Sequence, residues 1–242
     1  TISTSTIIFA QDNSVNNFSI RAKDTTGNWS QAQTISATIS SAPVVINEVA
    51  WAGGKSNTGN DEWIELYNRT DEEVSLENFS LYSITDNSPN IKLSGTIPAK
   101  GFYLIERGSD ESVSDVPADL VASFGYGLNN KGEELALNIA STTIDKTFLC
   151  AYNFNIRWPS CGSYGTLSNP QYKTMERKDV NTSGESGGNW APNIYPAIIK
   201  NGKDSLGQNI SGTPKQRNSV TYLIRDGSRT IGGDLILTRE HS

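Results

Sequence analysis

The stretch from Val44 to Asn68, VVINEVAWAGGKSNTGNDEWIELYN, holds two short apolar runs separated by a loop rich in Gly, Asn and Ser. Branched and aromatic residues dominate both runs, and this composition is typical of β-strands. Each run also carries a carboxylate, Glu48 in the first and Glu65 in the second. The pattern predicts two strands of a half-buried sheet joined by a variable loop, with Ile64 and Leu66 facing the core.

The whole chain has the composition of an all-β protein. Of its 242 residues 36% are hydrophobic, and short runs of Val, Ile, Tyr and Trp alternate with polar loops. The chain has a formal charge of −6, and its basic residues are scattered along the sequence. Both features disfavour a nucleic-acid-binding surface, which needs clustered Lys and Arg. No apolar run is long enough for a membrane span. We therefore expect neither nucleic acid as a partner nor a membrane span in this segment.

Several stretches of the chain form a recurring set of motifs. They are Asn47-Glu48, the run Glu62 to Asn68, the acidic turn and strand Asp71 to Leu81, the hairpin Thr96 to Leu104, and a closing signature made of Met175-Glu176-Arg177, Asn189-Trp190 and Gly212-Thr213-Pro214. Together they resemble a lamin tail domain in the form found in bacterial and archaeal surface proteins. The resemblance spans roughly Val44 to Asn218. It implies an immunoglobulin-like β-sandwich of the lamin-tail type over residues 44–218, a module with no common chemistry.

Both ends of the chain indicate partial flanking β modules. Residues 17–30, NFSIRAKDTTGNWS, resemble the last hairpin of a bacterial immunoglobulin-like or fibronectin-type domain, so residues 1–40 are predicted to be the C-terminal strands of such a domain. Residues 219–242 are predicted to be a linker and the start of a further β-rich module. Open strand edges invite strand addition, so neighbouring β modules of the same protein or other subunits are the expected partners.

Catalytic machinery is sparse in this sequence. Its one histidine, His241, lies at the C-terminal end, outside the region of resemblance, which excludes Ser-His-Asp and Cys-His mechanisms and histidine-based zinc sites. No phosphate-binding loop, dinucleotide fingerprint or nucleophile elbow occurs. We therefore predict a protein that is not an enzyme, with no catalytic residues, no cofactor-binding residues and no required cofactor.

The two strand carboxylates are predicted to lie beside apolar surface. Alternation along a strand places Glu48 on the face of Val44 and Ile46, and Glu65 on the face of Trp63. An unpaired charge in such a place costs several kcal/mol, so each carboxylate is expected to have a partner.

Two kinds of partner fit these carboxylates. The first is a buried ion pair, with Arg177 as the leading candidate and Arg107 as the second. The alternative is a calcium site in which Glu48, Asp61 and Glu65 supply oxygen ligands. No EF-hand loop pattern occurs, and we therefore favour the ion pair over calcium.

Cys150 and Cys161 flank a short loop, AYNFNIRWPS, that is rich in aromatic and turn-forming residues. A disulfide across so short a loop is worth about 3 kcal/mol on the chain-entropy estimate and is natural in an exported protein. The alternative is two free thiols in a cytosolic protein. The modular neighbours implied by the resemblance favour the disulfide between Cys150 and Cys161.

Three tryptophans, Trp51, Trp158 and Trp190, fall in predicted loops, where they either stack on sugar rings or pack as loop anchors. We favour packing. Loops on a rigid sandwich usually carry binding, so Ala52 to Asn60 and Val180 to Gly188 are the expected sites of specificity.

The function that follows is a non-catalytic structural, adhesion or assembly module of a larger bacterial surface protein, located outside the cell or on its surface. The alternative is a recognition module that binds polysaccharide or another extracellular polymer for an attached enzyme. A glycan array distinguishes the two, because a pure spacer gives no signal.

Overall fold

The computed structural model describes residues 14–39, 42–52, 61–130, 132–149, 158, 173–193, 202–221, 223–225, 228–231 and 235–237. The chain divides into two compact units, Thr1–Ala42 and Pro43–Ser242. Both units are built from strands, and the one helix in the described ranges is a single 3₁₀ turn, Gly187–Asn189. No helix among these residues is long and apolar enough to cross a membrane. The all-β fold class is therefore confirmed.

The first unit contains an antiparallel hairpin made of β1 (Ser14–Ile20) and β2 (Gln33–Ile39). Its connection includes a tight turn in which the backbone N–H of Asp24 donates to the carbonyl of Asn28 at 2.9 Å. Gly27 lies in this turn with a φ of 98°, a left-handed value that glycine adopts without strain. The hairpin and its turn agree with the sequence, while the assignment of residues 1–40 to a separate sandwich stays a prediction.

The strands of the second unit are, in chain order, β3 (Val44–Ala50), β4 (Trp63–Asn68), β5 (Val74–Ser75), β6 (Phe79–Ser83), β7 (Asn90–Lys92), β8 (Thr96–Ile97), β9 (Phe102–Arg107), β10 (Leu120–Ala122), β11 (Leu135–Ile139), β12 (Thr142–Lys146), β13 (Met175–Arg177), β14 (Trp190–Pro192), β15 (Leu223–Arg225), β16 (Ser228–Ile231) and β17 (Leu235–Leu237). They form a six-stranded sheet in the order β10-β9-β4-β3-β13-β14 and a four-stranded sheet in the order β12-β11-β6-β7. The small sheets are β5-β8 and β15-β16-β17. Among the pairs of the six-stranded sheet, β9 and β10 are parallel and the others are antiparallel.

The main hydrophobic core lies between the two large sheets. Ile64 and Leu66 of β4 are fully buried in one cluster with Leu81 of β6 and Leu137 of β11. Alternating residues of each strand supply this cluster, as a half-buried pleated sheet requires. The prediction that Ile64 and Leu66 face the core of an immunoglobulin-like sandwich is confirmed.

The opposite face of the six-stranded sheet is also covered, but by segments that contain little regular structure. A second cluster joins Trp63 and Leu104 of this sheet to Val113 and Val116, with Ile210 packed against it. Two segments cover this face, residues 109–119 and residues 202–221. We call residues 202–221 the closing segment. The six-stranded sheet is thus buried on both faces.

A bulge in β3 decides which face Glu48 occupies. The register between β3 and β4 shifts between Ile46 and Glu48, leaving Asn47 without an opposite residue, and Glu48 then lies opposite Glu65. The extra residue moves Glu48 away from Val44 and Ile46 to the face covered by the closing segment. The prediction that Glu48 shares their face is therefore wrong, whereas the face predicted for Glu65 is confirmed.

Candidate functional site

Three glutamates stand side by side on the covered face of the six-stranded sheet. Glu65 lies on β4, Glu48 on β3 and Glu176 on β13, with Glu48 directly opposite Glu65 on one side and Glu176 on the other. Each is fully buried. Like charges at opposite positions of neighbouring strands are destabilising, so this row, which we call the carboxyl cluster, needs compensation.

Backbone groups of the closing segment supply part of that compensation. Each glutamate accepts a hydrogen bond from one backbone N–H group of the closing segment. The pairs are Thr213 with Glu48 at 2.9 Å, Lys215 with Glu65 at 2.5 Å and Val220 with Glu176 at 3.2 Å. A segment without long strands is thereby hydrogen-bonded to three adjacent strands of the sheet.

Side chains supply the remaining donors. They belong to Asn47, Thr174, Asn193, Thr213 and Ser219, at donor–acceptor distances of 2.5 to 2.8 Å. With the backbone donors they reach all six carboxyl oxygens of the cluster. Buried polar atoms in stable folds are satisfied in this way.

Burial favours the protonated forms of the three carboxyl groups in the cluster. Burial, reinforced by the charge of Glu176, raises the pKa of Glu48 to about 8. Burial also raises the pKa of Glu65 well above its ordinary value, with Glu48 as the next cause, and burial raises the pKa of Glu176. Desolvation penalises the charged form of each group, and a negative neighbour adds to that penalty.

The hydroxyl of Thr213 gives an independent reason for a proton in the cluster. Its Oγ1 lies 2.7 Å from Oε2 of Glu48 and 3.1 Å from Oε1 of Glu176. A hydroxyl has one hydrogen to donate, so only one of these two contacts can be a hydrogen bond from Thr213. The other becomes favourable when the carboxyl itself carries a proton and donates to the hydroxyl.

The predicted arginine partners pair with other acids. Arg177 binds Asp145 through two contacts, at 2.7 and 3.2 Å, and Arg107 binds Glu62 at 2.9 Å. Arg177 follows Glu176 along β13, so its side chain points to the other face of the sheet. The prediction that Glu48 and Glu65 pair with either arginine is therefore wrong.

The Arg177–Asp145 pair instead joins the two large sheets. Asp145 lies on β12, and its Oδ2 also accepts the backbone N–H of Ile46 at 2.8 Å. The guanidinium of Arg177 donates to the carbonyl of Thr182 at 2.6 Å and lies 5.6 Å from the ring centroid of Trp190. A planar guanidinium suits this combination of a forked ion pair and an aromatic contact.

Two of the three glutamates in the carboxyl cluster, Glu48 and Glu65, lie in a region that matches a known family. Residues 37–150 match the family model of the Lamin Tail Domain. This chain contains a lamin tail domain. Such domains have an immunoglobulin-like fold, are not catalytic, and generally have structural or protein-interaction roles. No curated protein matches the chain.

The sheet of the lamin tail domain continues beyond the matched residues. Strand β13 pairs with β3, β14 pairs with β13, and the closing segment covers the carboxyl cluster. Gly212 shows how closely this segment approaches, because a Cβ there would lie 2.8 Å from Trp63 Cζ2 and 3.1 Å from Glu48 Oε1. The sequence reasoning missed the role of Gly212 and Thr213, although the Gly-Thr-Pro signature was the signal that marks them.

The calcium alternative finds no suitable geometry in this lamin tail domain. Within the described ranges no group of three or more His, Cys, Asp or Glu side chains is arranged to hold a metal ion. Glu48, Asp61 and Glu65 all lie in those ranges and do not form such a group. The oxygens of Glu48 and Glu65 already accept hydrogen bonds from the protein, which leaves them poorly placed to act as ligands.

The three tryptophans proposed for loop binding are core residues. Trp51, Trp158 and Trp190 are each at most 1% exposed and belong to the main hydrophobic core. Their indole N–H groups donate to the carbonyls of Lys173, Asn129 and Gly184, respectively, at 3.0, 2.8 and 2.7 Å. They do not present a ring to a sugar, and the packing interpretation is confirmed.

The loop Val180 to Gly188 is fixed from inside the domain. The amide of Asn189 donates to the carbonyls of Asp179 and Thr182 at 2.9 and 3.0 Å, and most residues of the loop are exposed. Whether this loop carries specificity stays a prediction. Residues 53–60 of the other predicted loop lie outside the described residues.

Cys150 and Cys161 also lie outside the described residues. Their disulfide stays a prediction.

Proposed function

We propose that this chain is a non-catalytic structural, adhesion or assembly module of a larger bacterial surface protein, displayed outside the cell. Its partners on this proposal are neighbouring β modules or other subunits, joined by strand addition. The fold of the lamin tail domain and the resemblance to its bacterial surface form support the proposal.

The observation that carries the non-catalytic role is the state of the carboxyl cluster. Glu48, Glu65 and Glu176 form a row of adjacent carboxyl groups that the closing segment buries completely. A general acid or base must come within hydrogen-bond reach of its substrate. These groups instead accept hydrogen bonds from the domain itself, so their contribution is to the fold. We do not propose sugar recognition by Trp51 or Trp158, because their rings are buried.

Protease treatment of intact source cells tests the extracellular location. Trypsin should release peptides cut at the exposed Lys100 and Lys203 while leaving the buried Arg177 uncut, because a folded domain offers only its surface turns to a protease. Mass spectrometry of the released peptides reads out both results. Peptides that appear only after cell lysis would refute display outside the cell. The same cuts made on the purified chain provide the control for accessibility.

A further inference from the structure

An exposed tryptophan between β1 and β2 carries two cations on its ring. Trp29 is 55% exposed, Cζ of Arg21 lies 5.4 Å from its ring centroid, and Nζ of Lys23 lies 5.2 Å from it. Both distances are within the range of a cation–π contact. We call these three residues the aromatic–cation patch. Among the described residues neither of its cations forms an ion pair, so their charges face solvent.

Asp24, which follows Lys23 in the sequence, is hydrogen-bonded within its own turn. Asp24 Oδ1 accepts the backbone N–H groups of Thr26 and Asn28 at 2.9 and 2.8 Å, and Oδ2 accepts the amide of Asn28 at 3.1 Å. Hydrogen bonds from the Thr26 hydroxyl and from Asn28 lower the pKa of Asp24 to about 2. The patch therefore stands on a well-defined turn. Its two cations outnumber the one carboxylate of Asp24, so the net charge of the turn is positive in a chain whose formal charge is −6.

A second turn in the same chain repeats this backbone arrangement without the aromatic residue. In the closing segment the N–H of Asp204 donates to the carbonyl of Gln208 at 2.8 Å, as Asp24 does to Asn28. The N–H of Gly207 donates to the carbonyl of Asp204 at 2.8 Å, matching Gly27 and Asp24 at 3.2 Å.

The two turns also share their flanking bridge. Lys23 bridges Trp29 in the first turn, and Lys203 bridges Asn209 in the second. Asn209 therefore occupies the position of Trp29, which shows that this turn forms without a tryptophan. The backbone of this turn therefore does not require the indole, which is exposed and contacts two cations.

The chemistry of the patch selects a class of ligand. An exposed aromatic ring offers an apolar face on which the C–H groups of a sugar ring pack. Guanidinium and ammonium groups beside it form charge-assisted hydrogen bonds to carboxylates. Positive charge in an acidic chain is complementary to a polymer that carries one carboxylate per sugar.

We propose that Arg21, Lys23 and Trp29 form a binding site for an acidic polysaccharide, with the sugar ring against the indole and its carboxylate on the two cations. The site lies in the first unit and does not depend on the carboxyl cluster. If the chain binds no polysaccharide, the proposed non-catalytic surface role is unaffected. The two proposals therefore fail separately.

The test measures affinity of the full chain for polygalacturonate, a polymer of uronic acid, by isothermal titration calorimetry in 0.15 M salt. Trp29→Asn copies the residue of the second turn, and the double variant Arg21→Gln/Lys23→Gln keeps the turn but removes both charges. Loss of the stacked ring or of both cations should each weaken binding by about tenfold or more, the effect of 1.4 kcal/mol. Lys203→Gln on the second turn is the matched control and should leave affinity unchanged.

Neutral dextran and dextran sulfate separate the two parts of the site. Dextran should bind far more weakly than polygalacturonate, since it lacks carboxylates. Absence of binding to polygalacturonate, equal binding to dextran, or affinities unchanged in both patch variants would overturn the proposal. A further contrary result is a Trp29→Asn variant that keeps its affinity for both dextran sulfate and polygalacturonate. That result would show that the patch binds any anionic polymer through charge alone, and it would overturn the proposal as well. Melting temperatures equal to that of the wild type confirm that the variants are folded.

Discussion

Replacing Thr213 with Val removes the one hydroxyl that touches two members of the carboxyl cluster. Its Oγ1 lies 2.7 Å from Glu48 and 3.1 Å from Glu176, at a fully buried position. Valine has nearly the same shape, so no cavity forms and the lost energy is that of hydrogen bonding. An ordinary hydrogen bond contributes about 0.5–1.5 kcal/mol, and a buried acceptor left without its donor costs about 1–3 kcal/mol. We expect the free energy of unfolding to fall by about 1–3 kcal/mol.

Urea unfolding followed by circular dichroism measures this loss. The matched control is Thr142→Val, an exposed threonine on β12, where the change should stay within about 0.5 kcal/mol. The dependence of unfolding energy on urea should be the same in both variants, since neither alters the surface exposed on unfolding. A Thr213→Val protein as stable as the control would mean that the hydroxyl contributes nothing to the cluster, and the structural role assigned to it would be refuted.

Three further outcomes follow from the same geometry. Ile64→Ala should lower the free energy of unfolding, measured by urea titration, by about 2–5 kcal/mol, because Ile64 is buried in the main core. Ile84→Ala, at an exposed position, should lower it little. Equal losses would refute the assignment of Ile64 to the core face of β4. The protein should gain stability as the pH falls from 8 to 5, because the pKa of Glu48 is about 8 when folded and 4.5 when unfolded. The stability contributed by protonated Glu48 is fully present below pH 4.5 and is lost as the pH rises through 8. A urea midpoint that is higher at pH 8 than at pH 5 would contradict this prediction. Calcium or a chelator should leave the melting temperature unchanged, and a large rise with calcium would restore the site of Glu48, Asp61 and Glu65.

The strands around Ile64 could be predicted because their information is local. The alternation in residues 62–68 places Ile64 and Leu66 on one face, and the structure buries both. The bulge at Asn47 was not visible, because an extra residue in one strand depends on its partner strand. A single inserted position then reversed the face of Glu48.

The partners of the buried charges could not be predicted, since they come from distant parts of the chain. Asp145 reaches Arg177 from the opposite sheet, and Thr213 reaches Glu48 across 165 positions. Neither contact leaves a periodic signal. Trp158 is a similar case: its surroundings in the sequence suggest a loop, but it lies fully buried in the core.

The central claim is that buried carboxyl groups hold the closing segment onto the sheet. Hydrogen exchange of individual backbone amides tests it most directly, because the N–H groups of Thr213, Lys215 and Val220 donate to the three glutamates. These amides should exchange as slowly as those of the central strand β4, through opening of the whole domain, while the amide of Leu206 in the exposed turn of the same segment exchanges sooner. Rapid exchange at all three amides in an otherwise protected domain would contradict the claim.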